Sequence, residues 1–144
     1  GCIMATNTAP AIPQTRRQAQ AIVNTLRKTV NYNDAGISSG LAFAASLPIG
    51  AFILSVHVEI VTAFNAGTTN VLTVGTNSSS YNDIVAAGDV DEAATGNNDV
   101  TRGRGRSLAA SAEKPVFAKY TQTGTAATAG QAVIVVTYDG GWST

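Results

Sequence analysis

Between residues 51 and 64 the chain alternates with a period of two. Phe52, Leu54, Val56, Val58, Ile60, Thr62 and Phe64 share one parity, and Ser55, His57 and Glu59 occupy the other. Successive side chains of a strand point to opposite faces, so this pattern builds one face for burial and one for a wetter setting. It predicts a long strand of an antiparallel sheet with one covered face, entered from a turn at Leu47-Pro48-Ile49-Gly50 and followed by another at Asn65-Ala66-Gly67. Of the residues of the first parity, Phe52, Leu54, Val56, Val58 and Ile60 are the expected core contribution of that strand.

Shorter pieces repeat the theme. Residues 24–32 read as a strand, since Thr25, Thr29, Val30 and Tyr32 favour extended backbone; Ile22, Leu26 and Val30 would equally suit a helix, which leaves 15–23 open. Strands are also expected at about 40–45, 71–74, 116–121 and 132–138, with turns at Asn33-Asp34-Ala35-Gly36 and Gly75 and a Gly/Thr/Ala tract at 123–130. Residues 81–86 read as a strand or as a single helical turn. Residues 87–111 form a long irregular excursion, of a length that is usually functional or mobile. Some seven short strands, Gly-rich turns and no long helix predict an all-β, antiparallel β-sandwich of jelly-roll type.

With 144 residues the chain is one domain, large enough to bury about 68–70% of its unfolded surface. Residues 1–3 read as a cloning remnant ahead of Met4, residues 4–23 as an extended N-terminal arm carrying Pro10 and Pro13, and residues 24–144 as the sandwich. Cys2 is the single cysteine, so no disulfide framework is available. Charged residues make up 12% of the chain, against about 25% in an ordinary soluble domain. A surface so poor in charge suits stable association, here as a dimer or trimer. Nine basic residues balance nine acidic ones, which removes any global attraction to nucleic acid or membrane. No charged-then-apolar leader and no apolar stretch of about 18 residues is present, which points to synthesis in a cytoplasm-like compartment.

Candidate chemical sites are few. His57 stands beside Glu59 on the wetter parity; with no second histidine, it reads as a surface or interface residue and no ligand set or Ser-His-Asp arrangement can be assembled. The chain is accordingly expected to be no enzyme and to hold no cofactor. Asp83, Asp89, Asp91, Glu92 and Asp99 could offer oxygen ligands to calcium, but they lack the EF-hand frame and read better as an acidic solvated loop. Arg102, Arg104 and Arg106 alternate with Gly103 and Gly105, a flexible cationic tract that reads as a salt-bridging loop, internal or to another subunit. Arg16, Arg17, Arg27 and Lys28 precede any acid in the chain. Such a basic, proline-punctuated leader is typical of a subunit that ties itself to a neighbour, so these four residues and the three later arginines are the expected partner-binding set.

Three stretches carry a resemblance: Thr29-Val30-Asn31-Tyr32-Asn33-Asp34-Ala35-Gly36, Leu47-Pro48-Ile49-Gly50-Ala51, and Thr62-Ala63-Phe64-Asn65-Ala66-Gly67-Thr68-Thr69-Asn70-Val71-Leu72-Thr73-Val74-Gly75-Thr76. Together they resemble the small jelly-roll cement, or decoration, proteins that lie over the capsid shell of tailed bacteriophages. The resemblance covers residues 24–76 and, more loosely, the closing strand at 131–138. It implies a non-enzymatic virion protein, made in the bacterial host cytoplasm, that binds the major capsid protein on the outer surface and bridges shell subunits. A receptor- or glycan-binding β-module of a phage tail or fibre is the alternative. That alternative would need an exposed aromatic platform, to which Tyr81 and Trp142 could contribute.

Overall fold

The residues described by the computed structural model, 24–101, 107–109 and 111–140, form seven strands. They are β1 (Asn24–Asn31), β2 (Leu41–Ala42), β3 (Phe52–Thr62), β4 (Thr69–Gly75), β5 (Gly96–Asp99), β6 (Phe117–Thr123) and β7 (Gln131–Asp139). One sheet has four strands in the order β1-β7-β3-β5, and the other has three in the order β2-β6-β4. Every pairing is antiparallel.

The pairings are nested. β1 pairs with β7, β2 with β6 and β3 with β5, and at the centre of the series β4 meets the single residue Val85 through a bridge to Val74. That is the pattern of one long hairpin wrapped around a core so that successive strands alternate between the two sheets, the double Greek key of a jelly roll. The eighth strand is reduced to Val85, and residues 81–86 otherwise form neither strand nor helix.

The core lies between the sheets. Val56, Val58 and Ile60 of β3, Leu26 and Val30 of β1, Ile134 and Val136 of β7, and Leu72, Val74, Ala118 and Tyr120 of the smaller sheet are all buried. The parity expected for β3 thus holds from Val56 to Ile60. It fails at the start of the strand: Phe52 and Leu54 are 44% and 38% exposed, while Ile53 is 2% exposed. The cause is a bulge. Ile53 lies opposite Tyr138 and Ser55 opposite Thr137, which leaves Leu54 as an extra residue, and each inserted residue exchanges the faces of what precedes it. A second shift between Ile60 and Thr62 leaves Val61 extra and 46% exposed. Thr62 is also exposed, whereas Phe64 is buried.

The excursion at 87–111 contains a strand that its composition does not announce. β5 is Gly-Asn-Asn-Asp, four residues disfavoured in strands. It is held by register with β3, His57 opposite Asp99 and Glu59 opposite Asn97, and by Asn98 Nδ2 donating to the Val58 carbonyl (3.3 Å). The Gly/Thr/Ala tract is fixed from outside: Asn65 Oδ1 accepts from the Thr128 and Ala129 amides (2.8 and 3.0 Å). Gly130 ends the tract at φ 153°, where a Cβ would lie 2.3 Å from the Phe64 ring, so only glycine lets the chain pass.

Candidate interaction surface

The outer face of the four-stranded sheet carries Arg27, His57, Glu59 and Asp99. Its rows follow from the registers. One row runs Arg27, Val135, His57, Asp99 across the four strands, and the next runs Thr29, Val133, Glu59, Asn97. Positive charge therefore sits at the β1 edge and negative charge at the β5 edge. His57 Nε2 lies 4.0 Å from Asp99 Oδ1 and its Nδ1 lies 3.3 Å from Asn97 Nδ2. With the Asn97 amide donating, Nδ1 accepts and Nε2 carries the proton toward Asp99. Both side chains of the His57–Asp99 pair are well exposed (40% and 61%), and such a pair contributes only about 0–1 kcal/mol. The surface reading of His57 thus agrees with its position.

The expected partner-binding residues divide. Arg27 is exposed on this outer face, but Lys28 takes the opposite parity, half-buried between Leu26 and Val30 on the inward side of an edge strand. Adjacent strand residues cannot share a patch. An inward-pointing lysine on an edge is a known guard against indiscriminate strand pairing. Arg16, Arg17, Arg102, Arg104 and Arg106, like the arm at 4–23 and Trp142, lie outside the described residues.

The five carboxylates do not form one solvated loop. Asp83 accepts from the amide and hydroxyl of Thr76 (2.7 Å each), Asp89 from the Ala86 amide, Asp91 from the Ala93 amide and Asp99 from the Thr101 amide. Each fixes its own turn, and among the described residues no three potential metal ligands come together. Glu92 departs furthest from the solvated reading, being 8% exposed. Its Oε2 accepts from the Leu72 amide (2.9 Å) on the outer edge of β4, while its carbonyl accepts from the Phe64 amide (2.9 Å). Burial pushes its carboxyl above the usual glutamate range, against the opposing effect of the Leu72 hydrogen bond. Burial, and then the nearby Glu92 charge, likewise raise Tyr120, whose hydroxyl donates to Asn70 Oδ1 (2.5 Å). Sequence gives no sign of this: the signal is one acid among five, in a segment without periodicity.

Tyr81 is no free platform. Its ring stacks on Phe117 with centroids 4.6 Å apart, and a Cβ on Gly40 would strike it at 2.4 Å. Large apolar side chains do remain exposed at Ile49, Phe52 and Leu54 near the start of β3 and at Val61 near its end.

No family model and no curated protein matches this sequence. Among solved structures, a chain of the acidic stable capsid structure of Helicobacter pylori bacteriophage KHP30 aligns with a TM-score of 0.57, covering 85% of this chain and 90% of that one at 20% identity. A chain of the cyanophage Pam1 capsid asymmetric unit aligns with a TM-score of 0.50, covering 83% and 85% at 19% identity. The fold is one that phage capsids contain. The resemblance carried by the strand-and-turn motifs therefore holds at the level of this capsid fold, and along nearly the whole sandwich rather than residues 24–76 alone. At such identities the shared property is the course of the backbone, not a set of corresponding side chains.

Proposed function

We propose that this chain is a non-enzymatic structural protein of a phage virion that lies on the outside of the capsid and stabilises it by bridging shell subunits. The observation that carries this reading is the fold shared with capsid chains over most of both partners. The surface supports it. A rigid sandwich with only 12% charged residues, and with Ile49, Phe52, Leu54 and Val61 exposed, suits many modest contacts repeated over a symmetric shell. The partners in this reading are further copies of the chain and the major capsid protein, and the place of synthesis is the host cytoplasm.

Electron microscopy of purified particles, with and without the protein, tests the reading. Density for a sandwich of this size on the outer shell, and loss of capsid heat stability when it is absent, are expected; density confined to the tail would transfer the protein to the receptor-binding class. The basic arm belongs to the same proposal. A chain lacking residues 4–20 should keep its folded body yet attach more weakly to particles, and equal attachment would make the arm a passive tail.

A further inference from the structure

We infer that the four-stranded sheet continues from one copy of this chain to the next, β5 of one copy pairing antiparallel with β1 of its neighbour. Three observations lead there. First, the open edges are unequal. β4 is closed by Val85 and by the Glu92 carboxylate on the Leu72 amide, and β2 is two residues long. β1, by contrast, pairs with β7 without a bulge along all eight residues. Among the described residues, its outer side from Thr25 to Val30 receives no hydrogen bond. A regular edge of that length is a template for another strand.

Second, the polarity fits. Four alternating strands leave β1 and β5 running in opposite directions at opposite edges, so a translated copy meets its neighbour antiparallel with the same face outward. Gly96, Asn97 and Asp99 of β5 are exposed, and a Cβ built on Gly96 meets nothing within 4 Å.

Third, the charges fit in the register that keeps the rows continuous. The row ending in Asp99 begins with Arg27, and the row ending in Asn97 begins with Thr29. Extending both rows sets Asp99 beside Arg27 of the next copy and Asn97 beside its Thr29. On the inner parity, Lys28 then comes opposite Asn98, whose Oδ1 holds the Asp91 amide (3.1 Å) and so keeps a second carboxylate near. Pairing β1 with another β1 lacks this match, because the two centred registers set Arg27 against Arg27 or Lys28 against Lys28. The joint uses two different surfaces, so it generates a ring of three or more copies or an open run, never a closed pair.

The inference names the self-contact that the capsid reading calls for and rests on that reading for its purpose. It is tested on purified full-length protein, so its failure and a failure to find the protein on particles are separate results. In sedimentation velocity at micromolar concentration, the chain should associate beyond a dimer. Arg27→Glu and Asp99→Arg should each weaken association at least tenfold, and the double variant, which reverses both sides of every joint, should regain it. In a Cys2→Ser background, Thr29→Cys together with Asn97→Cys should oxidise to a ladder of covalent multimers, while Thr29→Cys alone stays uncrosslinked. A strict monomer, a double variant no better than the singles, or covalent dimers from Thr29→Cys alone would each overturn the proposal.

Discussion

Leu54 and Ile53 are neighbours with opposite fates, and the difference is measurable. Ile53→Ala empties a buried site and should cost about 2–5 kcal/mol, whereas Leu54→Ala alters an exposed bulge residue and should stay within about 0.5 kcal/mol. Urea unfolding of the two variants checks the contrast. Val58 is fully buried, so Val58→Asp strands an unpaired charge between the sheets and should give insoluble or unfolded protein. Glu92 supplies a pH test. Its folded-state value is raised, so the unfolded chain ionises first as pH rises; the group's contribution to stability is full in acid, below about 4.3, and is lost as pH climbs through the folded value. Glu92→Gln can still accept from the Leu72 amide but carries no charge. It should be more stable than the parent at pH 7, with the gap closing by pH 4, as read from unfolding midpoints at the two pH values. At this scale the sequence was legible wherever period two ran unbroken, from Val56 to Ile60. It was illegible at Phe52-Ile53-Leu54, where three consecutive apolar residues carry no period and only the bulge decides which one is buried.

Among the elements, β3 shows how a bulge buffers register. Deleting Leu54 removes the extra residue and leaves Ile53 opposite Tyr138 and Ser55 opposite Thr137, with Ile53 and Val56 still inward. Deleting His57 instead puts Val56 and Val58 on adjacent positions and turns everything before Val58 to the wrong face. The Leu54 deletion should therefore yield folded protein and the His57 deletion should not, a difference visible in circular dichroism and thermal melts. β1, β3, β4, β6 and β7 could be read in advance because branched and aromatic residues concentrate in them. β5 could not, because Gly96-Asn97-Asn98-Asp99 is strand only through its partners on β3. Val85 was equally hidden: one bridge to Val74 is all that remains of a strand, and no window of sequence shows a strand of one residue.

For the whole molecule, nesting sets the order in which the chain can become a protein. β7, the last strand, lies between β1 and β3, with Tyr138 opposite both Asn24 and Ile53. Until β7 arrives, the larger sheet has no centre: β1 has no partner, and β3 holds only the four residues of β5. Contacts between such distant parts of a chain form slowly, on a scale of about milliseconds to seconds for all-β domains. A chain ending before Gln131 should accordingly lack cooperative unfolding and be cut rapidly by protease, whereas the full chain resists. A nascent copy still on the ribosome has the edges β1 and β5 in its sequence but not yet at the two sides of one sheet. The same closing step that completes the sandwich also brings β1 and β5 to the two sides of one sheet, so a copy made only as far as β6 cannot yet offer both halves of the proposed joint.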